Sequence, residues 1–172
     1  MKLYTARLKL IALTETDLES SLDNLEGFYR KNNLISSNTK LSEIMQKVYQ
    51  IKLINIKNDP KNYFFYTYWL IINKNTNQVL GRIGFKDIPD QNKICEVGYG
   101  IKEGFRLKGY MTEALKRYLV WGFGQDINPI NKIIARTHTD NLPSQKVLKK
   151  AGFKKDGIKD DLTHWTITKN QN

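Results

Sequence analysis

The chain has 172 residues, close to the ~150 typical of one domain, so a single domain over residues 1–172 is expected and a second catalytic domain is not. With 40% hydrophobic and 11% aromatic residues, 11 Gly and 4 Pro, the composition supports a packed core and excludes a disordered or collagen-like chain. Twenty-eight Lys and Arg against 17 Asp and Glu leave a net charge of +11, which admits a polyanionic partner, although AT-rich codon usage would also enrich Lys, Asn and Ile together.

In chain order, Leu3, Leu8, Leu10 and Leu13 alternate in part with Thr5, Arg7 and Lys9, which predicts a strand. T-E-T-D at residues 14–17 then supplies a helix cap with early acidic residues, and that helix is expected to run to about Tyr29. The polar stretch 31–38 reads as a mobile loop. A second helix is predicted from a cap near Thr39, with Leu41, Ile44, Met45, Val48, Ile51 and either Ile54 or Leu53 at helical spacing, ending before Pro60. Residues 63–72, Y-F-F-Y-T-Y-W-L-I-I, read as a buried strand, about half of what a membrane span needs. Two further strands, around residues 79–88 and 94–101, complete a meander. A glycine loop at 104–109, a helix at 111–123 and a short strand at 132–137 make a βαβ unit. Residues 144–151 predict a last helix stopped at Gly152, and T-H-W-T-I-T a closing strand. The fold class is α+β, with a mixed, mostly antiparallel twisted sheet of about seven strands flanked by about four helices.

Cys95 is the single cysteine, so an internal disulfide is excluded, and with only His138 and His164 no metal site is expected. A reducing cytoplasm is the compartment this suggests. The N-terminal segment, interrupted by Arg7 and Lys9, has no apolar run of signal-peptide kind, and a soluble protein that does not engage a membrane is expected.

The segment G-F-R-L-K-G-Y-M-T-E-A-L at residues 104–115 puts a cationic glycine turn at a helix mouth, where unpaired backbone N–H groups attract a pyrophosphate. It lacks the G-K-S/T of a Walker loop and the three glycines of a dinucleotide fingerprint. Taken with E-V-G-Y-G-I at 96–101 before it and N-L-P-S-Q-K-V-L-K-K-A-G-F at 141–153 after it, the sequence resembles the GNAT superfamily of acyl-CoA-dependent N-acyltransferases. The opening T-A-R-L-K-L-I-A-L-T-E-T-D-L is similar to the branch containing the ribosomal-protein alanine acetyltransferases.

That resemblance implies a GNAT fold, acetyl-CoA as co-substrate and an amine as acceptor, a ribosomal-protein N-terminus among the candidates. It implies that Tyr99, Gly100 and Ile101 line the pantetheine arm and that Arg106, Leu107, Lys108, Gly109, Tyr110 and Met111 bind the pyrophosphate. Asn141 would hydrogen-bond the pantetheine, and Ser144 would stand near the thioester sulfur. Two positions depart from the pattern: Met111 replaces a small residue in the loop, and Leu148 replaces a tyrosine that serves many relatives as the acid. The acceptor groove would be walled by residues 17–58.

An α-amine with a pKa near 8 is only about one-tenth neutral at pH 7, so an acetyl acceptor needs help losing its proton. Glu96 is the leading base, on one strand face with Gly98 and Gly100, with a surface or salt-bridged glutamate as the alternative. Ser144 is the candidate donor to the departing thiolate, and the same residue could cap its helix. Glu113 sits where the helix dipole favours a carboxylate. A Cys95–His138 acyl-enzyme is a competing chemistry, and His164 reads as packing or pocket lining. The reading from another class is a basic RNA- or ribosome-binding module; a CoA-binding protein without catalysis is a third. The aromatics crowded into residues 63–69 rather than among the basic residues speak against nucleic acid. Monomer and homodimer stay equally open.

Overall fold

The computed structural model describes residues 1–169, and the chain divides into two compact units, Met1–Gly84 and Phe85–Asn172. Among the described residues are eight strands and six α-helices, more than the seven and four expected. The class is α+β. Strand order is β1-β2-β3-β4 through the first half and β5-β6-β8-β7 through the second.

The first unit begins with a hairpin instead of one strand. The Leu8 N–H donates to the Thr5 hydroxyl at 2.9 Å and the Thr5 N–H to the Leu8 carbonyl at 3.0 Å, closing a turn between β1 (Lys2–Tyr4) and β2 (Leu8–Ala12). Leu8 and Leu10 are wholly buried on β2, each worth ~2 kcal/mol of hydrophobic stabilisation. Thr14 forms a capping box with Asp17, as the spacing predicts. The helix it opens, α1 (Glu15–Asp23), stops at Asn24, which also caps α2 (Leu25–Lys31) by accepting the Gly27 N–H at 2.8 Å. One predicted helix is therefore two, because an Asx side chain offers the backbone an alternative to continuing.

The expected mobile loop after α2 is tethered: the Ile35 N–H donates to Asn77, and the Val79 N–H to Ile35, at 3.0 and 2.8 Å. The next helix, α3 (Glu43–Asn58), is capped by Ser42, not Thr39, and its inward face differs from the predicted one. Tyr49, Lys52 and Ile56 are buried while Ile44, Ile51 and Ile54 face solvent. Lys52 can enter because its Nζ donates to the Tyr66 carbonyl and lies 4.5 Å over the Tyr68 ring.

Residues 63–66 are helical where a strand is predicted. Pro60 starts a 3₁₀ turn, Pro60–Asn62, and the Asp59 carboxylate gathers Asn62 Nδ2 and the Tyr66 hydroxyl at 2.7 and 3.2 Å. These contacts wind Tyr63–Tyr66 into a single turn, α4, so that β3 starts only at Trp69. β2, β3 (Trp69–Asn73) and β4 (Val79–Phe85) are antiparallel neighbours.

In the second unit, β5 (Ile94–Ile101) is followed by α5 (Tyr110–Phe123) and β6 (Lys132–His138), and β5 and β6 are parallel, which is the predicted βαβ unit. The buried Tyr118 of α5 accepts the Phe85 N–H at 3.1 Å and packs 4.9 Å from the Phe85 ring. After α6 (Leu142–Lys150), Gly152 at φ 99° turns the chain, the left-handed conformation a C-terminal glycine supplies. A strand missing from the prediction follows, β7 (Lys154–Lys159), exposed throughout and paired with β8 (Leu162–Thr168). Its lysines and Gly157 give it no hydrophobic alternation, a pattern suited to an exposed edge.

Gly84 tests the packing of the first unit. A Cβ there would stand 2.7 Å from the Thr67 carbonyl oxygen, a backbone atom. Gly84→Ala is expected to destabilise the protein by about 1–3 kcal/mol in urea unfolding with an unchanged m-value. A variant as stable as the parent would show that the backbone at Thr67 gives way.

Candidate active site

The ladder between β5 and β6 runs from Ile94↔Lys132 through Cys95↔Ile133 to Glu96↔Ile134. Beyond Glu96 the strands part. β6 stays bonded to β8 along its whole length to His138, while β5 continues to Ile101 without β6 beside it. The gap is a cleft of about 180 Å³ between Val97, Gly98 and Tyr99 on one wall and Ala135, Arg136, Thr137 and His138 on the other, with Asn141 and Ser144 at the start of α6 closing one end. The parted edges present backbone N–H and C=O groups that no longer bond each other, so an amide-bearing ligand can take the place of the missing strand partner. Side chains leave room: a Cβ at Gly98 or Gly100 would meet nothing within 4 Å.

The glycine loop lies between β5 and α5. Arg106, Leu107 and Lys108 are exposed, Leu107 almost completely, with Lys108 Nζ donating to the Gly104 carbonyl at 3.0 Å. Leu107 and Gly109 both have positive φ, 62° and 77°. Gly109 is the N-cap of α5 and brings no side chain to cap it, which leaves the first-turn N–H groups directed outward, where an anion gains hydrogen bonds and the helix dipole together. Tyr110 is half-buried, and Met111 is buried. The Met111 side chain therefore serves the core, and its bulk does not crowd the loop mouth.

At the start of α6, Asn141 is the cap, its Oδ1 accepting the Ser144 N–H at 3.2 Å, in place of the cap expected from Ser144. The Ser144 hydroxyl is thereby left for other work. Its Oγ lies 2.9 Å from the Tyr99 hydroxyl, which also reaches the Ser144 carbonyl at 3.2 Å. Burial pushes the Tyr99 phenol up to about 12 against the opposing effect of the Ser144 hydrogen bond, so it is protonated at neutral pH. Sequence reading assigns Tyr99 only a backbone part. An aromatic between two glycines, G-Y-G, was the available signal, but alternation does not reveal which helix a strand side chain meets.

Glu96 marks the point where the strands separate. Lys86 Nζ lies 2.6 Å from its Oε1, and Arg136 grips both oxygens, with Nε 3.1 Å from Oε1 and Nη2 on Oε2. Burial alone would raise this carboxyl; the Arg136 and Lys86 hydrogen bonds and charges outweigh it and hold it below the ordinary carboxylate range. Glu96 is thus an ion-paired carboxylate that lines the cleft, and Arg136 and Lys86 are partners the sequence did not reveal.

Two other candidates fall elsewhere. Cys95 is buried beside Ile133 with its thiol pushed up to about 12, mainly by burial, and the register puts it at the far end of β6 from the exposed His138. A Cys95–His138 pair is not formed. His164 stands opposite Arg136 on β8, outside the cleft lining. Leu148 is fully buried, and Glu113 occupies the first turn of α5.

The parts fit acetyl-CoA on their own chemistry. The outward N–H groups and exposed cations of Arg106 and Lys108 suit a pyrophosphate, and the parted β5 edge with open space at Gly98 and Gly100 suits a narrow arm carrying amides. No cluster of three metal-binding side chains is found among the described residues, and no helix among them is long and apolar enough to cross a membrane.

Residues 7–154 match the acetyltransferase (GNAT) domain. The chain is 31% identical over 124 residues to the uncharacterized N-acetyltransferase YjdG of Bacillus subtilis (strain 168), covering 72% of this chain and 71% of that protein. It is 28% identical to YoaA of the same organism over 91% of this chain and 84% of that one. In fold it is similar to a ribosomal-protein-S5-alanine acetyltransferase from Vibrio fischeri, with a TM-score of 0.72 at 18% identity over 99% and 97% of the two chains. It is also similar to a ribosomal L7/L12 α-N-protein acetyltransferase, RimL, solved with coenzyme A, at a TM-score of 0.68 and 16% identity over both full chains. This chain belongs to the GNAT acetyltransferase family and is an acyltransferase.

Proposed function

We propose that the protein is a cytoplasmic N-acetyltransferase, one catalytic domain across both units, that moves the acetyl group of acetyl-CoA directly to a primary amine, with a protein N-terminal α-amine as the favoured class. The parted strands β5 and β6 carry this reading, since they bring Glu96 and Ser144 to the lining of one cleft. The choice of α-amine leans on the fold shared with two ribosomal-protein acetyltransferases. The lone buried cysteine suits a reducing compartment.

Acetyl-CoA supplies an activated thioester, and the chain's task is to hold it and manage two protons. The N–H groups from Arg106 to Met111 bind the pyrophosphate, and the amide of Asn141 together with the backbone of Tyr99, Gly100 and Ile101 holds the arm. The strand N–H groups also polarise the acetyl carbonyl. Glu96, held ionised by Arg136 and Lys86, is too weak a base to strip an ammonium of pKa near 8 outright. It is suited to a later moment: nitrogen bonded to the carbonyl carbon becomes strongly acidic, and an ionised carboxylate, directly or through one water, then accepts its proton. Ser144 donates to the departing sulfur. Tyr99, protonated and 2.9 Å from Ser144 Oγ, holds the serine side chain at the cleft through that hydrogen bond.

Isothermal titration of Gly109→Glu with acetyl-CoA is expected to show no binding, because the new anion occupies the pyrophosphate path; unchanged affinity would remove the loop from the site. Glu96→Gln is expected to lower kcat by roughly 10²-fold with acetyl-CoA affinity preserved. Since the Glu96 carboxyl titrates below its usual range, the parent's activity should show no loss from this group as pH falls toward 5. A Glu96→Gln rate equal to the parent's would assign proton acceptance to solvent. Tyr99→Phe should lower kcat with KM for acetyl-CoA unchanged, and Ser144→Ala should abolish the added effect of Tyr99→Phe. Additive defects in the double variant would show that the two hydroxyls act separately.

A further inference from the structure

The cleft between β5 and β6 is lined from both faces of the sheet, and strand alternation sorts its residues between them. Odd-numbered positions lie on the α6 side: the Tyr99 hydroxyl reaches Ser144, and Val97, Ala135 and Thr137 are buried. Even-numbered positions lie on the other side, where Glu96 of β5 and Arg136 of β6 meet. His138 follows Arg136 by two residues, so it shares that side. It lines the cleft and is exposed. Its backbone is anchored, the carbonyl accepting the Asn141 N–H at 3.0 Å and Gln145 Nε2 at 3.4 Å. The imidazole itself has no hydrogen bond or ion pair among the described residues.

The acetyl-transfer reading leaves one proton without a taker. An α-amine arrives as an ammonium and attacks only after losing a proton, whereas Glu96, held ionised by Arg136 and Lys86, suits the proton released after attack. From an ammonium of pKa near 8, an ordinary carboxylate takes a proton against an equilibrium handicap of several thousandfold, an ordinary imidazole against one of only about thirtyfold. A neutral imidazole also presents a lone pair to receive it, and an exposed one sheds the proton to water afterwards.

We propose that His138 is a further catalytic residue, which takes the proton of the incoming α-ammonium on the side of the cleft away from α6. This rests on the acetyl-transfer reading. One N–H bond of the ammonium breaks, its electron pair stays on nitrogen as the attacking lone pair, and the proton joins the free imidazole nitrogen before passing to solvent. The second N–H proton goes to Glu96 once nitrogen has bonded to the carbonyl carbon. The thioester beside Ser144 and the amine beside His138 then meet through the gap between the strands.

The charged and titratable groups around His138 in this unit are Arg136 with its partners Glu96 and Lys86, His164 opposite Arg136 on β8, and Asp140 and Asp161 at the turns beyond the strand ends. Of these side-chain types only imidazole ordinarily changes charge between pH 5 and 8, which makes His164, on the same face but outside the cleft lining, the control.

The test is kcat/KM for alanine-initiated and serine-initiated peptides at saturating acetyl-CoA, measured from about pH 5.5 to 9 to bracket imidazole and α-amine. For the parent it should rise through the imidazole range and then level off. For His138→Gln it should be about 10²-fold lower at pH 7 and keep rising to about pH 8, where the amine loses its proton unaided. The defect should therefore shrink by about tenfold between pH 7 and 9. His164→Gln should keep the parent's profile, and Glu96→Gln should lower the profile without moving its acid limb. Acetyl-CoA affinity, read by isothermal titration, should be unchanged in His138→Gln, a split that damage to the fold would not give. If His138→Gln does not fold, His138→Asn takes its place with the same expectation. A variant profile parallel to the parent's, at whatever height, overturns the proposal and leaves acetyl transfer standing. A parent that binds acetyl-CoA yet acetylates none of the peptides overturns the α-amine reading, and the role of His138 with it.

Discussion

β6 keeps its hydrogen-bonded pairing along its whole length with one neighbour, β8, and only in part with the other, β5. Seven paired positions join it to β8, from Lys132↔Thr168 to His138↔Leu162, whereas its parallel pairing with β5 ends at Glu96↔Ile134. Everything in the candidate site follows from that unequal pairing. The gap gives a linear cosubstrate a strand edge to lie on, and it exposes Gly98 and Gly100 where side chains would have filled the space. Separating two strands inside a sheet leaves hydrogen-bonding groups unmatched, each of which costs about 1–3 kcal/mol when buried without a partner. The cleft is open to solvent, so water satisfies them until a ligand does.

The ion pair among Glu96, Arg136 and Lys86 stands where the strands divide, and it joins both walls. Glu96 comes from β5 and Arg136 from β6, so the charges bridge the two strands just where the backbone ladder ceases to. The Arg136 and Lys86 side chains are well exposed, and a surface pair of this kind adds little to stability by itself. Its main effect is electrical: it keeps a carboxylate ionised in a half-buried cleft and fixes its direction. A protein that needed a strong base here would have left Glu96 with fewer cations around it.

The net charge of +11 first suggested a polyanionic partner. Several of those charges have local duties in the folded chain. Lys52 is spent on the Tyr66 carbonyl, Lys57 on Glu15 and Glu19, and Arg136 and Lys86 on Glu96. The loop cations Arg106 and Lys108 are exposed, and a bound cosubstrate with its phosphates would draw on them. The match to the acetyltransferase domain over residues 7–154 leaves the nucleic-acid reading without a feature of its own.

Much of this was legible from residue order. The capping box at Thr14, the βαβ unit and the glycine loop depend on neighbours three or four positions apart, and local chemistry of that range is written directly in the chain. Met111 looked like a defect in the loop because a sequence pattern does not say which way a side chain points; in the fold it faces the core. The strand assigned to residues 63–66 failed because Asp59 pulled Asn62 and Tyr66 into a turn, a contact stronger than the β-preference of four aromatics. The inward face of α3 was misread for a related reason: Lys52 finds a carbonyl and Tyr49 a cation, while three isoleucines at good spacing find nothing and remain outside. The family, the fold class and the loop can be read from residue order, since each rests on short-range pattern. That Tyr99 meets Ser144 and that Arg136 and Lys86 claim Glu96 emerged only on folding, because these are encounters between residues about 10 to 45 positions apart, and no periodicity records who stands opposite whom.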